Sequence, residues 1–391
     1  MTATLAAVTS TNPRPQATPS PVTLFLAFEL GATTWKLGFT IGMAQHPRER
    51  TIPAGAIAQL LQEIRRAKER FGLPSDTPVV SCYEAGREGC WLHRCLHSHG
   101  ITNLVVDSAS IEINRRQRRA KTDRLDLHKL LTMLLRHQSG ERKVWSVVQV
   151  PSAAEEDRRH LHRELLTAKR DRTRVVNRLQ GLLAGYGIRL ALQGDVEAKL
   201  DQVRQWDGSP LLPALCNRLK HAWQQVQFLT THIRTLEAER RAALRRQDDA
   251  AVAKVQQLFT LRGVGINSAW LYVMEFFAWR EFQTPKQIGA LAGLTPTPYQ
   301  SGESRREQGI TKAGNRHMRT MAIEIAWTWR RFQPTSALTH WYETRFGHGS
   351  ARLRKIGFVA MARKLLIALW RFLKTGVLPE GAKLKGELQA N

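Results

Sequence analysis

A serine hydroxyl set among cations is where this chain could do covalent chemistry. Residues 299–319 read Tyr-Gln-Ser-Gly-Glu-Ser-Arg-Arg-Glu-Gln-Gly-Ile-Thr-Lys-Ala-Gly-Asn-Arg-His-Met-Arg. Ser301 directly precedes Gly302, whose missing Cβ leaves a loop serine sterically open. Arg305 and Arg306 follow at once, and Lys312, Asn315 and Arg319 flank the start of the next helix. A hydroxyl with such neighbours suits attack on a phosphodiester, because cations offset the negative charge carried by the phosphate oxygens. Ser304 stands as close to the arginines and is an alternative nucleophile on residue grounds. For either one, the plainest reading is an ordinary turn serine.

Carboxylates give the second signal, since 33 acids stand against 59 lysines and arginines. Glu29 closes the first strand-like segment, Glu84 follows the segment 79–82, and Asp123 and Asp126 open a helix. Their spacing of three puts the two aspartates on one helix face. Four carboxylates converging on a sheet edge would bind Mg²⁺ or Mn²⁺, stabilising the attacking and leaving oxygens of a phosphodiester. The bland alternative is that Asp123 caps the helix and Asp126 pairs with Arg124 or Lys129. Just upstream run Arg115, Arg116, Arg118, Arg119 and Lys121. A charge run is usually a solvated face, but beside an acidic pair it reads as a loop holding a nucleic-acid backbone. Asp107 is a further acid after a different strand. Cys90, His93, Cys95 and His97 cluster without the spacing of a zinc module.

The elements that must position these residues fall into three blocks. Residues 22–150 alternate strands (22–30, 35–41, 48–52, 77–82, 101–106) with helices (54–71, 88–99, 122–137), a mixed α/β sheet such as an RNase H-like domain. Residues 151–254 are nearly all helix. Ala222, Val226, Leu229, Ile233 and Leu236 keep a coiled-coil seam, and Leu161, Leu165, Leu166, Val175, Leu179 and Leu182 line a partner helix. The helix breakers of 185–213 form a loop or hairpin tip between them, and the resulting helical arm could also dimerise. Residues 255–376 open with Leu261-Arg262-Gly263-Val264-Gly265-Ile266, similar to a helix-hairpin-helix. There Gly263 and Gly265 permit a tight turn able to grip a phosphate. A plain glycine turn between packed helices is the alternative. Trp327, Trp329 and Trp370 at helical spacing are read mostly as core. Residues 1–21 and 377–391 read as a disordered leader and tail.

The whole chain of 391 residues carries a formal net charge of +26, which favours polyanions and above all nucleic acid. Its 42% hydrophobic content is that of a globular protein. The apolar runs are too short for a membrane span. The four cysteines lack a Cys-x-x-Cys pair and fit a reducing, cytoplasmic setting.

Taken in order, these features resemble the insertion-sequence 110 family of transposases, related to Piv-type DNA invertases. The resemblance rests on Tyr83-Glu84-Ala85-Gly86, Lys121-Thr122-Asp123-Arg124-Leu125-Asp126, Gly263-Val264-Gly265, Ala292-Gly293-Leu294-Thr295-Pro296, Gln300-Ser301-Gly302 and Ile310-Thr311-Lys312-Ala313-Gly314-Asn315 with Arg319. It runs from about residue 24 to 375. It implies a RuvC-like, RNase H-like acidic domain, a coiled-coil arm, and a mostly helical C-terminal domain that carries a serine nucleophile. Carried over, Glu84, Asp123 and Asp126 hold the metal and Ser301 forms a phosphoserine–DNA intermediate. The family's first acid is an aspartate, whereas this chain has Glu29, one methylene longer. The resemblance further implies donor and target DNA, a structured bridge RNA as guide, and a dimer or tetramer with composite active sites in a bacterial or archaeal cell. Two other functions are compatible with the residues: a metal-dependent nuclease or Holliday-junction resolvase using water, and a non-catalytic nucleic-acid-binding derivative.

Overall fold

The computed structural model describes residues 22–86, 88–112, 123–246, 248–301 and 304–386, excluding the side chains of Asp123 and of residues 304–307. The basic run holding Arg115, Arg116, Arg118, Arg119 and Lys121 lies outside the described residues, as do the leader 1–21 and Gly302. The chain divides into two compact units between Val150 and Pro151.

The first unit is a five-stranded mixed sheet in the order β3-β2-β1-β4-β5. Its strands are β1 (Leu24–Leu30), β2 (Thr34–Thr40), β3 (Arg48–Pro53), β4 (Val79–Glu84) and β5 (Thr102–Val106). β1, β2 and β3 form an antiparallel meander, and β4 and β5 add to β1 in parallel. Two crossover helices make parallel addition possible: α1 (Ile57–Arg70) and α2 (Trp91–Ser98). With period-two alternation, Leu24, Leu26, Phe28, Val79 and Tyr83 belong to one core with residues of α1 and α2. Ala27 and Cys82, of the opposite parity, pack with Leu127, Leu130, Leu131 and Leu134 of α3 (Asp123–Gln138).

The second unit is mostly helical. Ser152 and Glu155 form a capping box that starts α4 (Ala153–Gly185). After α5 (Val196–Gln202), Pro213 occupies the first turn of α6 (Pro213–Ala243), where its missing N–H costs nothing. α4 and α6 pack along their lengths, burying Leu179, Leu183, Leu219, Ala222 and Val226 toward the tip and Leu165, Ala168, Ile233 and Leu236 toward the base. Ala222, Val226, Ile233 and Leu236 of the α6 seam therefore have a partner within the chain, whereas Leu229 is only half-buried and Leu182 of the expected partner face is exposed.

Beyond the arm come α7 (Ala250–Phe259), α8 (Ile266–Tyr272), a π-helical turn (Val273–Phe277) and α9 (Pro285–Leu291). A β-hairpin follows, β6 (Pro296–Ser301) with β7 (Ser304–Ile310). The chain then folds into α10 (Arg316–Phe332), α11 (Ala337–Tyr342), a second π-helical turn (Glu343–Gly347) and α12 (Ala351–Thr375). Their core includes Trp270, Phe276, Ile288, Trp329, Met361 and Leu365. The arm and the serine-bearing helices belong to one unit. Trp329 is buried as expected, while Trp327 is half exposed and stacks on Phe358.

Residues 377–386 differ from the expected disordered tail. Gly376 caps α12 with a left-handed φ of 73°, turning the chain back onto the body. There Leu384 bridges to Leu261, the Lys383 N–H donates to Gln333 Oε1, and the Lys385 N–H donates to the Thr260 carbonyl. Two carbonyls left over at the end of α7 and in the next turn, Phe259 and Val264, accept from Lys385 Nζ. Backbone polar groups explain the ordering of a segment whose composition looks unstructured.

Candidate active site

Two of the four candidate acids come together through strand register. Phe28 of β1 pairs with Tyr83 of β4 as the last registered pair, and Glu29 and the exposed Glu84 each follow it by one residue, at the carboxyl ends of neighbouring strands. They share the parity of Ala27 and Cys82, and hence the sheet face that α3 covers. Adjacent strands lie about 4.8 Å apart, so two like charges here favour a shared cation. Lys36 stands directly opposite Glu29 on β2, and strand pairing alone also offers it a positive neighbour. Asp126 is on the first turns of α3, half-buried, one position before the inward-facing Leu127. The Asp123 side chain lies outside the described set. Among the described residues, no three His, Cys, Asp or Glu side chains gather closely enough to hold a metal. Asp107 instead accepts a hydrogen bond from the Ala109 N–H and starts a short turn.

Ser301 is the last residue of β6 and pairs with Ser304, the first residue of β7. The open loop expected around Ser301 is thus the end of a two-stranded hairpin. Thr297 is half-buried and Pro298, Tyr299, Gln300 and Ser301 are exposed, with Tyr299 showing 52% of its surface. An exposed two-stranded ribbon is marginal on its own, so its root must be held.

The motif residues 292–296 and 310–315 supply that hold. The Thr311 N–H donates to the Thr295 carbonyl, Lys312 N–H to Gly293, and Asn315 N–H to Leu291. Gly293 (φ 67°) and Gly314 (φ 92°) sit at the crossing. A Cβ on Gly293 would overlap the Ala313 carbonyl oxygen, and one on Gly314 the Leu291 carbonyl oxygen. Lys312, at φ 55°, is a non-glycine residue in the left-handed region, a strained conformation held by its surroundings.

Two expected nucleic-acid ligands face inward here. Arg319 donates to the Ala292 and Lys312 carbonyls, tying both strands of the latch. Asn315 caps α10, accepting from the Met318 N–H, while its amide donates to Glu275 Oε2 at 3.1 Å. Lys312 itself is exposed. Arg305 and Arg306 pair in register with Gln300 and Tyr299, their side chains lying outside the described set. The turn between α7 and α8 packs Gly263 (φ 81°) against the α10 backbone at Thr328, whose hydroxyl donates to the Gly263 carbonyl; Gly265 caps α8.

Sequence reasoning missed Glu275. It is 2% exposed in the π-helical turn, with Arg163 of α4 donating to both its oxygens at 2.6 and 2.9 Å. Burial pushes its carboxyl up, but Arg163, with Arg159 and Asn315, outweighs that and holds it below the ordinary range. Nearby His162 is equally buried with neither ring nitrogen bonded, and burial, reinforced by Arg240, pulls it down to about 4. A lone acid in the apolar run 270–279 is the signal that was available.

The first unit thus ends two neighbouring strands in carboxylates, and the second, helical unit presents Ser301 on a latched hairpin. Residues 255–342 match the Transposase IS116/IS110/IS902 family. Over 394 residues the chain is 37% identical to "Putative transposase y4rJ" of Sinorhizobium fredii, covering 96% of this chain and 98% of that protein. It is also 26% identical over 166 residues to "Transposase for insertion sequence element IS1328" of Yersinia enterocolitica, covering 42% of this chain and 48% of that one. The chain belongs to the IS110 family of insertion-element transposases. Its substrate is accordingly DNA. Among the described residues no helix is long and apolar enough to cross a membrane.

Proposed function

We propose that this transposase recombines DNA through a covalent phosphoserine intermediate, guided by a structured RNA and assisted by a divalent cation. The observation that carries the reading is the exposed Ser301 at the end of a hairpin whose root is locked by the Gly293 and Gly314 crossing. In the proposed step the Ser301 hydroxyl oxygen bonds to phosphorus as the bond from phosphorus to the sugar oxygen breaks. The serine proton is given up and the departing sugar oxygen gains one. Attack by a hydroxyl of the second DNA then reverses the step and frees Ser301. Arg305, Arg306 and Lys312 follow the serine in sequence and are assigned to the phosphates of the bound strand.

Glu29, Glu84, Asp123 and Asp126 are assigned to Mg²⁺ or Mn²⁺. The donor chemistry suits a hard cation, because it is all carboxylate oxygen and Glu29 and Glu84 end neighbouring strands, although Glu29, Glu84 and Asp126 are not gathered around one point in this structure. When bound, such an ion neutralises charge on the attacking and leaving oxygens. The order of the sheet, an antiparallel meander extended by two parallel strands, supports the RNase H-like reading of the first unit. The charge of +26 suits an RNA partner as well as DNA.

The test is a denaturing gel of labelled DNA incubated with protein, guide RNA and Mg²⁺. A protein–DNA adduct is expected from the unaltered chain and none from Ser301→Ala, with DNA affinity changed less than about twofold. Cleavage without any adduct would mean that water attacks, as in a simple nuclease. An adduct that survives Ser301→Ala and vanishes in Ser304→Ala would move the nucleophile.

A further inference from the structure

We infer that Glu275 is a positioning residue for Ser301, and that the Arg163–Glu275–Asn315 chain fixes the serine hairpin to the helical arm. The inference rests on the reading of Ser301 as nucleophile. Glu275 is the buried carboxylate of this unit among the described residues, while Arg159, His162 and Arg240 are its buried basic side chains. One oxygen accepts from Arg163 Nε of α4, and the other is shared between Arg163 Nη2 and the Asn315 amide. Asn315 also caps α10 and donates its own N–H to Leu291, at the crossing of the two motif strands. From there the root continues through Thr311 to Thr295 and into β6 and β7. The side-chain links are hydrogen bonds with a direction, and short stretches of backbone join them.

Geometry explains why a charged link is used at this place. Five residue steps separate Pro296 from Ser301, a lever of roughly 17 Å at about 3.3 Å per residue. A tilt of about 10° at the root would move the serine by roughly 3 Å, whereas a misplacement of about 1 Å already costs on the order of 100-fold in rate. Apolar packing around Ile310 can hold the root in place but sets its orientation weakly, since dispersion contacts are non-directional. A bidentate guanidinium–carboxylate pair fixes both distance and plane. The π-helical turn contributes by offsetting the register of Val273–Phe277, a distortion frequent at functional sites.

The variant that separates positioning from folding is Asn315→Ser. Serine still caps α10 through its hydroxyl but cannot donate across to Glu275. In single-turnover reactions with guide RNA, labelled DNA and Mg²⁺, Asn315→Ser is expected to slow adduct formation by about tenfold or more. Its melting temperature and DNA affinity should stay near those of the unaltered chain. Glu275→Gln, which keeps the oxygen facing Asn315 and loses the charge facing Arg163, should slow the same step. Adduct formation by Asn315→Ser within about twofold of the unaltered rate overturns the inference, as does a rate loss that merely tracks a fall in melting temperature. Absence of adduct from the unaltered chain itself would instead sink the Ser301 reading on which this one stands.

Discussion

Position 29 decides between a metal ligand and a cross-strand partner, because Glu29 ends β1 opposite Lys36 of β2 and beside β4. The Glu29 carboxylate reaches one methylene further than an aspartate's would, from a strand end beside Glu84. If it holds the cation, Glu29→Gln should cut adduct formation by at least about 100-fold, more than is typical for a ligand's supporting partner. Glu29→Asp keeps the donor type and should stay within about tenfold. The rival role is a cross-strand partner for Lys36, which stands opposite on β2. A pair of that kind contributes only about 0.2–1 kcal/mol. In that case Glu29→Gln and Lys36→Met would both shift the melting temperature slightly and leave the adduct intact. Measuring both variants on both readouts decides between the roles.

At the scale of elements, the chain was legible wherever burial writes a period into the sequence. The five strands of the first unit and the long helices of the arm lie within a few residues of their expected places, because apolar alternation and seam spacing report buried faces. β6 and β7 have no such face: Pro296, Pro298, Gln300 and three arginine or glutamate positions give no alternation, so the hairpin read as a loop. Glu275 escaped for the opposite reason, hidden in a run that reads as uniform core. The tail 377–386 escaped because individual hydrogen bonds and two apolar contacts, Ala382 and Leu384, hold it without any periodic pattern. The seam itself is testable. Leu179 is fully buried between α4 and α6, whereas Phe228 on α6 is 71% exposed. Leu179→Ala should therefore lose about 2–5 kcal/mol in thermal or urea unfolding, and Phe228→Ala close to nothing. Equal losses would place Phe228 in an interface between copies of the chain.

The whole molecule carries +26 at neutral pH and 13 histidines that can add to it, so acid should loosen the fold by self-repulsion alone. The interior adds a steeper dependence. His162 has an ordinary value of 6.5 and is held at about 4 in the folded chain, first by burial and then by Arg240. The unfolded chain therefore binds a proton that the folded chain refuses between those values. Stability is full above about 6.5 and falls as the pH drops toward 4, by about 3 kcal/mol from this one ring. Glu275 acts in the same direction but lower: its folded value lies below the ordinary 4.5, so its contribution, present above 4.5, is lost only as the pH falls through that depressed value. His162→Phe removes the step and leaves the repulsion. Urea midpoints taken at pH 7, 5.5 and 4.5 should therefore fall steeply for the unaltered chain and distinctly less for His162→Phe. Parallel curves would mean that the ring gains a proton partner in solution, and that the acid sensitivity of this transposase belongs to its net charge.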